Sequence, residues 1–303
     1  MTETAQVEPI AADAVDSLLA RCSFPATASV SCAVSGGADS MALMLLAVAS
    51  GREVTAFHVD HGLRPDSHAE ADVVAEVATR FGASVERRRV ELEDGANLEE
   101  RARVARHAAL PHDVLFGHTA DDQAETVVLN LLRGSGPDGL AAITPDRHPI
   151  LGLRRSDTVG LCAALDVRPV DDPSNASAAF RRNRVRAEVI PLLNEITGTD
   201  VVPSLARSAE HQRDAAQLID DLAAEVDETD ARAVAALAPI VAGAVMRRWW
   251  RAATGEGHPP DRAAVTRMLD VASGVAVGAD IVHGWQIRRT DSRLRLERLG
   301  DPQ

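Results

Sequence analysis

Six consecutive residues, Ser35-Gly36-Gly37-Ala38-Asp39-Ser40, combine side chains and backbone freedom suited to holding a polyphosphate. The glycines let the backbone turn sharply and approach a ligand with no Cβ in the way. The serine hydroxyls can donate to phosphate oxygens, and the N–H groups and dipole of a following helix favour an anion. Asp39 is the anomaly. A carboxylate facing a polyphosphate either binds a metal ion, which predicts Mg2+ beside nucleotide phosphates, or serves as an ordinary cap at a strand-to-helix turn. The run lacks the lysine of the G-x-x-x-x-G-K-S/T loop and the spacing of the dinucleotide fingerprint G-x-G-x-x-G. Lysine is absent from the whole chain, so its basic side chains other than histidine are all arginine.

A second set of chemical residues lies in His118-Thr119-Ala120-Asp121-Asp122-Gln123-Ala124-Glu125. Asp122 and Glu125 are three apart and project from one face of a helix start. Acids in a first turn complement the helix dipole; beside a phosphate loop they also suit a grip on Mg2+ or on an ammonium group. His58 and His61, in His58-Val59-Asp60-His61-Gly62-Leu63-Arg64, are too close and too loop-like for a metal pair, and fit a ribose or adenine contact. Arg103 and Arg106 share a helix face, paired either with neighbouring glutamates or with phosphate. Arg181-Arg182-Asn183-Arg184-Val185-Arg186 packs four arginines into six residues. Such crowding calls for an anion.

The elements that must position these groups alternate as strand and helix. Strands are expected at Val30 to Val34, Val54 to Val59, Ser84 to Val90 and Val114 to Gly117. Helices are expected from Ser40, over Ser67 to Arg80, from a cap at Asn97, over Asp121 to Arg133, and from a cap at Ser156. Short strands joined by helices imply right-handed crossovers and a parallel sheet, with ligands beyond its carboxyl edge. Thr197-Gly198-Thr199-Asp200 marks the expected boundary between a domain of residues 1–197 and one of 198–303. In the second, Pro203 to Asp227 reads as a long helix, two more fall between Val241 and Ser273, and alternation around Thr290-Asp291-Ser292-Arg293 signals a hairpin.

The chain has 303 residues and a net charge of −13, which argues against nonspecific nucleic-acid binding. Arginine clusters at 181–186, 247–251 and 288–298 are either solvated faces paired with local acids or, as their density in so acidic a chain favours, local anion-binding faces. With no tyrosine and few aromatics, the cores must be Ala, Val and Leu. No apolar run reaches membrane-spanning length and the first residues are acidic, so a cytoplasmic enzyme is expected. Cys22, Cys32 and Cys162 are too few and too scattered for a disulfide framework or a C-x-x-C site.

Together these motifs resemble those of the bacterial tRNA(Ile)-lysidine synthases, within the PP-loop superfamily of enzymes that split ATP between its α and β phosphates. The resemblance runs through S-G-G-A-D-S, H-V-D-H-G-L-R, N-L-E-x-x-A-R-x-x-R, G-H-T-A-D-D-Q-A-E-T with L-L-R-G-S-G, D-P-S-N, and R-R-N-R-V-R before Ile190-Pro191-Leu192-Leu193. It covers Ser35 to about Leu193. His107 stands where the family usually has tyrosine, and Thr119 where histidine or asparagine is frequent. The chain also looks like a short form, without the longer C-terminal extension of some members.

The resemblance implies a Rossmann-like α/β domain with helices on both faces of a parallel sheet, then a smaller, mainly helical domain ending in a β-hairpin. It implies adenylation of the wobble cytidine of tRNA(Ile) with a CAU anticodon, followed by attachment of L-lysine. Ser35, Gly36, Gly37, Ala38, Asp39 and Ser40, with His58 and His61, would bind ATP, and Asp39 would hold Mg2+. Asp122 and Glu125 would orient or deprotonate lysine, and Arg103, Arg106, Arg133, Arg182, Arg184 and Arg186 would meet phosphates of ATP or tRNA. A homodimer is compatible with this reading. A tRNA thiolase would need a cysteine pair or an iron–sulfur cluster, for which the chain has no residues. A non-catalytic ATP-binding module would leave the paired acids and arginine clusters unexplained.

Overall fold

The structure, a computed structural model, describes residues 10, 12–60, 67–90, 105, 108–170, 180–256 and 259–299. After helix α1 (Ala12–Leu19), a strand–helix alternation runs through β1 (Ser29–Ala33), α2 (Ala38–Ala49), β2 (Glu53–Asp60), α3 (Ser67–Phe81) and β3 (Ser84–Arg89). The strands pair in the parallel order β1-β2-β3, with Cys32 opposite Ala56 and Phe57 opposite Glu86. On the far side of β1, Leu115 bridges Cys32 in parallel, so the strand expected at Val114 to Gly117 is a single bridge that extends the sheet. Two backbone hydrogen bonds hold it there: Ala33 N–H to Leu115 O, and Leu115 N–H to Ser31 O.

Side-chain alternation gives the sheet two apolar faces. Val30, Cys32, Val54 and Ala56 join one core with α2 and α3, while Ala33, Phe57 and Val59 join Leu110, Val114 and Phe116. Residues Met41 to Ala47 of α2 are all buried. A helix that is apolar all round belongs in a protein interior, and this one anchors the loop Ser35 to Ser40 at its start. It begins at Ala38, two residues before the expected Ser40, because Gly37 takes the cap position with extended backbone. Expectations placed on Asn97 and on residues 171–175 lie outside the described residues.

Helix α4 (Ala120–Leu132) follows Thr119, and a single turn, α5 (Pro137–Leu140), follows Gly136. Helix α6 (Arg155–Ala164) starts ahead of the cap expected at Ser156. The reason lies in two carboxylates: Asp157 accepts the Arg154 N–H at 2.7 Å, and Asp121 accepts the Arg155 N–H at 2.8 Å. Helix α7 (Arg181–Arg184) runs through a π-turn (Val185–Val189) into α8 (Ile190–Thr197). Pro191 explains the wide turn, since it has no N–H and its ring clashes with the carbonyl four residues before it. Gly198, at φ +68°, ends α8 in the left-handed conformation that glycine adopts without a Cβ penalty.

Two compact units divide the chain, residues 1–210 and 211–303. The division falls within α9 (Val202–Ala224), beyond the turn at Thr197–Asp200. The second unit contains α10 (Ala231–Ala235), α11 (Pro239–Thr254), α12 (Arg262–Ser273) and an antiparallel sheet of β4 (Gly278–Asp280), β5 (Trp285–Thr290) and β6 (Arg293–Arg298). Its core gathers Trp250, Met246, Met268, Val271, Ile287 and Leu294. The expected hairpin is β5–β6, with Thr290 paired to Arg293 and Asp291 at φ +56° in the turn. No helix among the described residues is long and apolar enough to cross a membrane.

Candidate active site

The phosphate loop is pinned from within. The Ser35 N–H donates to Ser40 Oγ at 3.1 Å, the two serine hydroxyls lie 3.2 Å apart, and Ser40 Oγ donates to Gly37 O at 2.9 Å. Gly36 turns the chain at φ +96°. Gly37 brings no side chain to cap α2, and among the described residues no side chain accepts at that cap. Such an end, with its dipole, favours an anion. Buried His58 abuts the loop's approach, its Nδ1 2.9 Å from Val34 O.

Asp39 does not cap its helix. One of its oxygens accepts from the Thr158 hydroxyl and the other lies 3.2 Å from Arg155 Nε. Burial raises its pKa against the lowering influence of Thr158 and Arg155. Arg155 then extends from Asp39 to the acid pair on α4. Its Nη2 is 3.0 Å from Asp122 Oδ1 and its Nη1 is 3.3 Å from Glu125 Oε1. One guanidinium therefore meets three carboxylates.

The two acids of α4 are held differently. Asp122 divides its work: Oδ2 accepts from the Thr119 N–H at 2.9 Å and hydroxyl at 3.0 Å, while Oδ1 faces arginines. The first oxygen satisfies the helix start, as in a capping box. Glu125 receives Arg186 through Nε at 2.6 Å and Nη2 at 3.2 Å, and Arg182 through Nε at 2.7 Å. Arg182 Nη2 also lies 3.1 Å from Asp122 Oδ1. Burial opposes ionisation of Asp122, but Arg155 and Arg182 hold its carboxyl below the usual carboxylate range. Three carboxylates (Asp39, Asp122, Glu125) thus face three guanidiniums (Arg155, Arg182, Arg186).

His118 completes this wall, with its ring centroid 4.8 Å from His148 and 6.1 Å from Phe116. Among the described residues its buried Nδ1 has no hydrogen-bond partner. Burial, aided by His148 and Arg182, lowers its pKa to about 4, so the ring is neutral at physiological pH.

The site therefore brings together Asp39, Asp122, Glu125, Arg182 and Arg186 from the sequence-derived set. Arg184 turns away, bound through Nε and Nη2 to Glu188 at 2.9 and 2.7 Å. Arg133 sits at the opposite end of α4 from Asp122, with Nη1 3.1 Å from Asn130 Oδ1. His61, Arg103 and Arg106 lie outside the described residues. Sequence reasoning missed Arg155 and Thr158. The available signal was Arg154-Arg155 at a helix start, the end where the dipole disfavours cations and where only nearby acids can hold them.

A parallel sheet with a glycine-rich loop between β1 and α2 and an acid pair after the fourth strand-like segment, at Leu115, is the arrangement of an ATP-using PP-loop domain. The family described as PP-loop domain matches residues 8–193. The chain is 42% identical to the tRNA(Ile)-lysidine synthase of Nocardia farcinica over 276 residues, covering 84% of this chain and 86% of that protein. It is 43% identical over 245 residues to that of Rhodococcus jostii, covering 75% of each. The chain belongs to the tRNA(Ile)-lysidine synthase family. A U34-tRNA thiolase from Methanococcus maripaludis, solved with its iron–sulfur cluster, superposes with a TM-score of 0.52 over 66% of this chain and 79% of that one. At 17% identity that likeness is one of fold alone.

Proposed function

We propose that this chain adenylates the C2 oxygen of the wobble cytidine, position 34, of tRNA(Ile) with a CAU anticodon, and then attaches free L-lysine to form lysidine. One observation carries the reading: Arg155 joins Asp39 of the phosphate loop to Asp122 and Glu125, at 3.2, 3.0 and 3.3 Å. On this reading the loop that holds ATP adjoins the acid pair, as a two-step reaction at one base requires. In the first step the cytosine O2 attacks the α-phosphorus, the bond to the bridging α–β oxygen breaks, and pyrophosphate leaves. In the second, the lysine side-chain amine attacks C2, the C2–O bond breaks, and AMP leaves with the oxygen.

Ser35, Gly36, Gly37, Ala38 and Ser40 hold the phosphates, and the bare start of α2 offers its N–H groups to developing negative charge. Asp122 and Glu125 orient the lysine ammonium, and one of them accepts its proton, since an amine attacks only once deprotonated. Arg182 and Arg186 neutralise these acids until the amine arrives, and the base must be splayed from the anticodon loop to reach them.

The donor chemistry at Asp39 fits Mg2+ as a site completed by nucleotide phosphates: among the described residues each carboxylate oxygen has one hydrogen-bond partner, which leaves it a lone pair. Among the described residues no group of three or more His, Cys, Asp or Glu forms a protein-only cage. Mg2+ held there would offset the charge of the departing pyrophosphate.

The deciding experiment is incorporation of labelled L-lysine into a CAU tRNA(Ile) transcript, with tRNA-dependent ATP–pyrophosphate exchange measured alongside. Lysine-specific, ATP-dependent labelling is expected. Exchange without any lysine attachment would end the reading.

A further inference from the structure

The three arginines at the acid pair are not equivalent. Their side chains are 27% (Arg155), 39% (Arg182) and 33% (Arg186) exposed, whereas that of Glu125 is 2% exposed, so the arginines form its cover. Arg155 alone among them also holds Asp39. It sits in the first turn of α6, where the helix dipole disfavours a cation. Local helix preference therefore does not explain it; the three carboxylates do. Thr158, one turn further along α6, donates its hydroxyl to the same Asp39.

We propose that Arg155 is a positioning residue that sets one half-reaction against the other: it fixes Asp39 for adenylation while occupying the carboxylates that lysine must bind. This inference rests on the function proposed above. A guanidinium never deprotonates in a protein and presents a planar fork of donors. Its three nitrogens here reach three carboxylates at 3.0–3.3 Å. An incoming ammonium needs the same oxygens, so lysine gains the acid pair only by displacing arginine contacts. Without Arg155, three carboxylates face two guanidiniums among the described residues, Arg182 and Arg186. The acid pair then attracts an ammonium more strongly, while Asp39 loses one of its two anchors. A merely structural residue would depress both functions together.

The test uses the full chain with a CAU tRNA(Ile) transcript and reads each half separately. Adenylation is followed as tRNA-dependent ATP–pyrophosphate exchange, and lysine affinity by equilibrium dialysis of labelled L-lysine with tRNA present and ATP omitted. Arg155→Ala is expected to slow exchange by about tenfold or more, the scale of a mispositioned reacting group. It is also expected to tighten lysine binding by about fivefold, the scale of one partly screened charge contact. Thr158→Val, which removes the other Asp39 anchor and the hydroxyl's contact with the Arg155 carbonyl but leaves the Arg155 guanidinium on the acid pair, is expected to slow exchange and leave lysine affinity unchanged. Weaker lysine binding by Arg155→Ala, or unchanged exchange, overturns the proposal. If that variant does not fold, Arg155→Lys decides: it keeps the charge but not the fork, so exchange must fall at unchanged lysine affinity, and parental exchange refutes the idea. Failure of the parent chain to exchange or to attach lysine is a different result, and refutes the function itself.

Discussion

Gly117 and Asp39 approach so closely that a β-carbon on Gly117 would stand 2.6 Å from the Asp39 carbonyl oxygen. The segment after Leu115 thus lies directly against the first turn of the helix that carries the phosphate loop. Gly117→Ala forces one backbone away from the other, and overpacking of this kind costs about 1–3 kcal/mol. A lower urea midpoint together with slower ATP–pyrophosphate exchange is expected. Gly37→Ala is the contrast, because its nearest neighbour would be Ser35 Oγ at 3.8 Å. That variant is expected to keep its stability within about 0.5 kcal/mol and lose ATP affinity, as judged by calorimetry.

Removing charge from the two ends of the site is expected to separate the steps. Asp39→Asn loses adenylation, read as pyrophosphate exchange. Glu125→Gln keeps exchange but loses lysine attachment by about a hundredfold, a typical share for a proton acceptor. If Glu125→Gln attaches lysine at the parental rate, Glu125 has no role in handling the amine.

The His118 ring makes folding stability depend on pH. Its folded pKa is about 4, against an ordinary 6.5. Between those values the unfolded chain binds a proton that the folded chain does not, so stability declines as pH falls from 6.5 and this contribution levels off below 4. The full effect is at most about 3 kcal/mol. His118→Gln is expected to flatten this part of the curve, measured as urea midpoints across the window. A variant curve parallel to the parent's would show that another group governs the slope.

Arg182 and Arg184 are two residues apart but face different partners, Glu125 in one case and the exposed Glu188 in the other. Arg184→Ala is therefore expected to leave the melting temperature and lysine affinity unchanged. If its guanidinium meets tRNA phosphate, the variant raises the KM for tRNA and reduces the salt dependence of tRNA binding. Arg182→Ala is expected to alter lysine affinity instead. Identical profiles for the two variants would contradict the geometry.

The phosphate loop was legible because glycines, serines and an acid between a short apolar strand and a buried helix leave few other readings. Asp122 and Glu125 were legible through helical spacing, and the arginines at 181–186 through crowding. Helical spacing puts Arg182 and Arg186 on one face, four apart, and Arg184 on another; it does not say which face turns inward, because that is set by the acids of α4, far away in sequence. Arg155 was hidden for the same reason: it meets Asp39 across 116 residues of sequence, a separation that no local pattern encodes. Strand β4 was missed because Gly278-Ala279-Asp280 has little β propensity of its own and is held by pairing with β5.

The cations around Asp122 and Glu125 are all guanidiniums, and no ammonium side chain exists anywhere in the chain. A protonated guanidinium is a poor nucleophile, whereas a lysine pressed against carboxylates would sit beside groups able to take its proton. If a base activated by adenylation forms within reach of these side chains, the wall around it is chemically mute. The electrophile then finds no amine of the enzyme's own side chains to capture it in a dead-end adduct, and the amine that reacts must come from outside.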